Sequence, residues 1–324
     1  MSCAFTLECS HGGGLLAGFG FMLPGLLLVL LLAWMYIHWG ISSVLFAGLL
    51  FGMQPAVTAL IVRAVHRLGQ HTLSDHWLLG IAILSLVASF LNVSFWTTLP
   101  LAGLLYLLAK RGRHFLVAVL SLWFIATAFS YWQITPSKVV ENETSLVQNN
   151  EASLDMLFWS GLKIGLFSFG GAYTAIPLLQ DDAVEVNHWV TNAQFLDSIA
   201  FSGMLPAPLI IFATFIGFLS GGFGGALAMT AGVFLPAFGF TLLGHRYLGK
   251  LIEHKGLHTF LDGLMAGVIG LIAATAFELL RTALTDFFAI AIFLLALIAL
   301  YRWQSKATVL VVMLCAGLLG IVTH

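Results

Sequence analysis

The sequence predicts an all-α, polytopic integral membrane protein of about 10–11 transmembrane or half-membrane helices, arranged as two inverted repeats. Three observations predict it. Apolar residues make up 60% of the 324, and only 27 side chains are charged (13 Lys+Arg and 14 Asp+Glu, 8%), where a soluble domain carries roughly 25%. Mean hydropathy is +1.00, and apolar runs of about 20 residues, enough to cross a bilayer, recur from end to end. The third is an internal similarity between the front and the back of the chain. A soluble fold is excluded, and so is an outer-membrane barrel, whose strands would alternate in segments of about ten residues. A net charge of −1 without a basic tract gives no basis for nucleic-acid binding.

The runs place helices at about 14–39, 44–65, 115–132, 156–179, 195–219, 226–245 and 258–280. Residues 77–109 span about 50 Å as a helix, too long for one straight crossing and barely enough for two. Residues 287–322 have the same character, with Arg302 and Lys306 in the middle.

Lys and Arg in short loops stay in the cytoplasm. The loops Arg63 to Arg67 and Lys110, Arg111, Arg113 are then both inside, so 77–109 leaves and returns as two short helices turning near Asn92, Val93 and Ser94. Helix 115–132 delivers the polar stretch with Glu141, Glu143 and Glu151 to the outer side. Carrying the parity forward puts Arg246, Lys250, Lys255, Arg302 and Lys306 inside. All basic residues but Lys138, Lys163 and Arg281 then lie on one side or at its edge. Trp34, Tyr36, Trp39, Trp77, Tyr131, Trp132, Tyr301 and Trp303 fall near interfaces as an aromatic belt.

Gly12 to Pro24 aligns with Gly224 to Pro236, with identity at Gly12, Gly13, Leu15, Gly20, Leu23 and Pro24. Downstream, Gly48, Gly52 and Ala59 answer to Gly263, Gly267 and Ala274. By the parity count the two blocks run in opposite directions, a recurrent plan of secondary transporters that bind substrate near the midplane. Glycine-rich apolar helices also resemble one another by composition alone, but the shared order of several elements favours a repeat. The expected organisation is a first repeat over 1–113, a linker helix and polar outer loop over 114–153, and a second repeat over 154–324. The stretch 156–223 has no counterpart in the first repeat, so the first repeat is read as truncated at its front.

The chemistry concentrates in 158–208. Lys163 is a cation inside a span, which by default signals function, although snorkelling to an interface accounts for it equally. Lys163 and Gly170 are seven apart, on one face of a continuous helix. Gly170-Gly171 permits a helix break, and Pro206 and Pro208 suit a helix restarting within the membrane. A helix N-terminus there suits a bound anion, while a plain proline kink is the alternative. Lys163, Ser168, Gly170, Gly171, Ser202, Gly203, Pro206 and Pro208 therefore read as an oxyanion cradle. Asp182 and Glu185, beside Asp181, are candidates for proton coupling, although a solvated connecting turn is the plainer reading. Glu278 and Arg281 have the spacing of a structural ion pair. His66, His71 and His76 lie near a cytoplasmic loop. Cys3, Cys9 and Cys315 give no disulfide framework; Cys3, Cys9 and His11 have a spacing a metal could use, but a ragged chain start explains them more simply. No cofactor is expected.

These residues resemble the chromate ion transporter family. The resemblance is carried by Phe169-Gly170-Gly171, Ile176-Pro177-Leu178-Leu179, Glu185, Trp189, Phe195, Pro206 and Pro208, Phe212-Ala213-Thr214-Phe215, Gly224-Gly225-Ala226 and Phe234-Leu235-Pro236. The front half matches from Gly12-Gly13 through Leu23-Pro24 to Gln54-Pro55-Ala56 and Arg67. Two departures stand out: Pro206-Ala207-Pro208 replaces the family's Pro-Gly-Pro, and the first-half copies of both the Phe-Gly-Gly and Pro-Gly-Pro elements are missing. The resemblance implies a multi-pass inner-membrane exporter of chromate, a tetrahedral dianion, conferring chromate resistance. A transporter of another oxyanion such as sulfate, and a non-transporting remnant or assembly partner, are the alternatives. A homodimer, or pairing with a full-length homologue, is a natural arrangement for a shortened chain. An intramembrane enzyme is disfavoured, since there are no paired intramembrane aspartates, no His-Glu-x-x-His and no Gly-x-Ser-x-Gly.

Overall fold

A computed structural model describes residues 11–40, 44–91, 93–113, 115–124, 152–168, 171–205, 207–239, 255–303 and 308–323. The acidic stretch with Glu141, Glu143 and Glu151, the basic residues Arg246, Lys250 and Lys306, and Cys3 and Cys9 lie outside them, as does the side chain of His11.

Among the described residues every regular element is helical. α1 is His11–Met35, extended by a π-helical turn over Tyr36–Gly40. α2 is Val44–Thr72, α3 His76–Phe90 and α4 Phe95–Lys110. A short helix, α5, covers Phe115–Phe124. α6 is Leu154–Phe167 and α7 Ala175–Gln180, which continues as π-helical turns over Asp181–Val186. Then come α8, Asn192–Met204, and α9, Phe212–Gly239. α10 is Lys255–Ala283, α11 Phe287–Arg302 and α12 Thr308–Thr323. α2 and α10 are long and apolar enough to cross a membrane.

The two ambiguous stretches are both helix pairs. α3 ends at Phe90, and Ser94 caps α4 by accepting from the Trp96 N–H at 3.4 Å, which is where the sequence asked for a turn. In the second pair, α11 ends at Arg302 and α12 begins at Thr308.

The core is built on exchange. α2 packs against α11 and α12, α10 packs against α3 and α4, and the two long helices touch each other. Small residues let the backbones close in, as they do where lipid supplies no hydrophobic drive between helices. A Cβ on Gly48 would lie 3.0 Å from the Ile321 Cα, and one on Gly52 would strike the Ala316 carbonyl. On the other long helix, a Cβ on Gly263 would sit 2.7 Å from the Ala102 carbonyl oxygen, and one on Gly267 would sit 2.7 Å from the Ala102 Cβ. The glycines matched by sequence thus make matching contacts, each long helix receiving the last helix of the other end's pair. Met53, Val57, Ile61, Phe195, Leu196 and Ile272 are sealed inside, while Phe287 is 80% exposed, as a helix facing hydrocarbon should be.

Two expected spans are not single crossings. Ser160 Oγ donates to Asp182 Oδ2 at 2.7 Å, though a straight helix would hold residues 22 apart at about 33 Å. α6 and α7 are therefore a hairpin in which the chain doubles back on itself. In α9, Gly221 (φ −149°, ψ 25°) and Gly222 (φ 60°, ψ −152°) leave helical geometry, and Thr214 Oγ1 lies 2.7 Å from Thr230 Oγ1. α9 is thus two antiparallel arms, 212–220 and 223–239, parted between the expected helix end at 219 and the expected start at 226. The expected helix 195–219 breaks between α8 and Leu209. Each hairpin returns to the side it left, so the later parity is unaffected. What changes is the turn after α7: Asp155, Trp159, Asn187 and Trp189 line one cavity of about 250 Å³, level with the start of α6 rather than across the membrane from it.

Candidate functional site

The first hairpin is shaped by its glycines. A Cβ on Gly161 would lie 2.5 Å from the Met229 carbonyl oxygen, and one on Gly165 would strike that of Val233, so α6 lies directly on the 223–239 arm. α6 stops at Phe167, and Gly171 takes φ +136°, a region that L side chains avoid. A 3₁₀ turn over Ala172–Thr174 then opens α7, with Thr174 Oγ1 donating to the Gly171 carbonyl at 2.7 Å. Gly170 lies outside the described residues. Because α6 ends three residues before it, the shared helix face inferred for Lys163 and Gly170 does not form.

The second hairpin, α8 with the 212–220 arm of α9, supplies the helix restart expected from its prolines. Thr191 and Gln194 form a capping box that starts α8. The chain becomes extended at Leu205, and Pro208 (φ −58°, ψ 130°) precedes a 3₁₀ turn over Leu209–Ile211 that leads into α9. Pro206 lies outside the described residues. The turns Ala172–Thr174 and Leu209–Ile211 touch, so two helix beginnings, with their positive dipole ends, meet at the junction of the tips. Ser168 and Ile210 share a cavity there of about 310 Å³ with Gly165, Val233 and Phe234.

The remaining candidates are dispersed. Lys163 Nζ is 3.1 Å from Asp182 Oδ2 and 3.4 Å from Oδ1, paired across the hairpin instead of free at its tip. Asp182 is buried, which replaces the solvated turn expected there. Ser202 Oγ donates back to the Ile199 carbonyl at 3.1 Å, and a Cβ on Gly203 would face Met313 at 4.0 Å. Glu185 belongs to a separate cluster in which Gln180 Nε2 faces Glu185 Oε1 at 3.2 Å, Asn192 Oδ1 at 3.3 Å and Glu278 Oε2 at 3.1 Å. Glu278 is thus tied to Gln180, while Arg281 stacks over the Phe277 ring at 4.6 Å, in place of the expected ion pair.

Two constellations escaped the sequence reading. Asp197, buried on α8, accepts from Tyr36 OH at 3.0 Å and Gln54 Nε2 at 2.9 Å. It joins α8 to α2 and to the turn after α1. A carboxylate inside an apolar run was itself a signal. The second is a cavity of about 630 Å³ lined by Arg63, Arg67, Gln70, His71, Tyr173 and Tyr301 among others. Arg63, Arg67 and His71 fall at helical spacing on α2, but only the fold brings Tyr173, from the first hairpin tip, to face them. Among the described residues no cluster of three or more His, Cys, Asp or Glu is placed to hold a metal.

A family model described as Chromate transporter matches residues 3–109 and 156–321. The chain is 48% identical over 316 residues to the chromate transport protein of Pseudomonas aeruginosa, covering 95% of this chain and 74% of that one. It is 27% identical to the chromate transport protein of Cupriavidus metallidurans (96% and 75% covered). It is also 28% identical to the probable chromate transport protein of Synechococcus elongatus (96% and 77%). No solved structure matches the chain.

Proposed function

This chain belongs to the chromate transporter family, and from that premise we propose that it is a multi-pass membrane transporter that carries chromate out of the cell across the inner membrane. The observation that carries the reading is the 48% identity, over 95% of the chain, to a chromate transport protein. The broken hairpins support it, since discontinuous helices whose N-terminal ends converge suit an anion. On this reading Ser168, Gly170, Gly171, Pro206 and Pro208 surround the dianion at the junction of the tips. Lys163 acts from one turn away through its pair with Asp182, and Ser202 and Gly203 shape α8 behind them. Glu185 and Asp182 are the groups offered for coupling to protons. Residues 1–113 and 154–324 act as the two inverted repeats between which access alternates.

The energetics favour export. A membrane potential negative inside is worth about 2.3 kcal/mol per charge per 100 mV, hence about 4.6 kcal/mol for a dianion, or about three orders of magnitude in concentration. The test is chromate flux in proteoliposomes at imposed potentials. Flux that follows the sign and size of the potential supports the reading, and absence of flux at every potential overturns it. Competition by sulfate or molybdate that outruns chromate would instead assign a different tetrahedral oxyanion to the same path.

A further inference from the structure

The cavity between α2 and the first hairpin tip has no task in the export scheme so far. Arg63, Arg67 and His71 repeat every four residues on α2, so one stripe of that helix forms its wall. Tyr173 faces this stripe from the turn that opens α7, and the Arg63 and Arg67 charges both bear on its phenol. The rim is fixed: Tyr301 OH lies 2.9 Å from His66 Nδ1, and Gln70 Nε2 lies 3.2 Å from His66 Nε2. Among the described residues the salt bridges belong to Lys110 and Lys163, and neither guanidinium has a carboxylate within ion-pair reach. Two like charges one helical turn apart repel, and an anion between them removes that penalty.

We propose that this cavity captures the tetrahedral oxyanion on the side of the basic loops, before it reaches the hairpin tips. Arg63 and Arg67 present planar N–H forks that match pairs of oxygens on a tetrahedral dianion, and Tyr173 adds a hydroxyl. The volume of about 630 Å³ admits the anion with part of its hydration shell, so capture proceeds without full desolvation. Tyr173 lies in the turn Ala172–Thr174, which touches Leu209–Ile211 of the second tip. An anion held here therefore contacts the element that borders the next station. The inference rests on the export reading and adds the place where the substrate enters. A lipid headgroup phosphate offers the same tetrahedral chemistry, and the test separates the two sources.

The test is equilibrium binding of radiolabelled chromate to the full chain in phosphatidylcholine vesicles at zero potential, with flux measured on the same preparations. Arg63→Gln and Arg67→Gln should each weaken binding about tenfold, the loss of one charged hydrogen-bonding partner, and the double variant by about a hundredfold or more. Lys110→Gln, outside the cavity, should leave binding unchanged. A double variant that folds and binds like the wild type, in a protein that still moves chromate, overturns the capture site and leaves the export reading standing. A wild type that neither binds nor moves chromate overturns the export reading itself. If chromate binding survives the double change, while anionic lipid binds to the wild type and not to the double variant, the cavity serves a headgroup and the proposal fails. Should the double glutamine variant not fold, Arg63→Lys with Arg67→Lys decides. It keeps both charges but loses the forks, and binding within about twofold of wild type, despite that loss, overturns the proposal.

Discussion

Lys163 Nζ sits 3.1 Å from Asp182 Oδ2, closing the first hairpin between α6 and the turns after α7. The Asp182 side chain is 9% exposed and that of Lys163 39%, so removing the lysine strands a nearly buried carboxylate. Breaking a buried pair costs about 3–5 kcal/mol, but solvent reaches Lys163, so Lys163→Met should cost about 2 kcal/mol. Adding Asp182→Leu should restore most of it. Chemical unfolding in detergent checks the cycle, and additive losses would mean that the pair does not couple. Flux through the double variant then decides the second question. Wild-type flux makes Lys163 a strut of the hairpin, whereas a stable double variant without flux makes the Lys163–Asp182 pair part of the path.

Helix spacing gives a second expectation. Gly52 on α2 and Gly263 on α10 each lie against a carbonyl of the opposite pair of helices, Ala316 and Ala102. Alanine at either must push backbone aside and should cost about 1–3 kcal/mol. Gly80 on α3 has nothing within 4 Å of the added Cβ, so Gly80→Ala should gain about 0.5–1 kcal/mol from helix propensity. Melting temperatures of the three variants in one detergent test the contrast. Equal shifts would deny the close approach.

Asp197 carries a third. Its two donors, Tyr36 and Gln54, come from different elements, and Tyr36 and Asp197 are both buried. Tyr36→Phe removes one donor and leaves the other, at about 1–2 kcal/mol. Asp197→Leu leaves the buried Tyr36 and the part-buried Gln54 without this acceptor and should cost more than either single donor loss, while Asp197→Asn keeps an acceptor oxygen and should cost less. That order of stabilities is the measurable outcome; leucine tolerated better than asparagine would contradict it.

A pH dependence follows from Asp75, in the loop between α2 and α3. Its carboxyl accepts from Lys110 Nζ at 2.7 Å and Tyr106 OH at 3.2 Å, and the Lys110 bond first, then that of Tyr106, holds it below the ordinary carboxylate value. A depressed folded value stabilises above the unfolded one and is lost as pH falls through the folded one. The stability difference between wild type and Asp75→Asn should therefore be constant above about pH 5 and shrink below about pH 4. Unfolding midpoints across pH 3 to 7 check it, and a gap that widens on acidification would reverse the sign.

The legible and illegible parts of this molecule divide along physical lines. Helix length and the capping serine made the α3–α4 turn readable, because both are local. Gly170-Gly171 and Pro206 to Pro208 announced breaks, since backbone freedom and a missing N–H act on the residues that carry them. Local signals could not say that α6 returns upon itself, for a break permits a bend and a reversal alike. The choice is made by Ser160, Lys163 and Asp182, which meet only after the chain has doubled back. Arg63 and Arg67 were read as markers of sidedness, and both lie on the last turns of α2. Their cavity needs Tyr173, more than a hundred residues away in sequence, and no periodicity reports that.

The reversal of the first hairpin has a topological consequence that labelling can reach. If 156–179 crossed the membrane once, Asn187 would emerge beside Lys110, opposite Asp155. In the structure Asp155 and Asn187 line one cavity of about 250 Å³, and Ala152 N–H donates to the Ser220 carbonyl at 3.0 Å, so the ends of both hairpins share a level. Single cysteines at Asp155, Asn187 and Lys110, in a background with Cys3, Cys9 and Cys315 replaced, should therefore sort two against one. A membrane-impermeant maleimide added to intact cells should modify the first two and spare the third, which reacts only after the membrane is opened. Asn187 labelled together with Lys110 would restore the single crossing. It would also separate Lys163 from Asp182 and part the two tips, because the contact between Ala172–Thr174 and Leu209–Ile211 depends on each hairpin returning to the side it left.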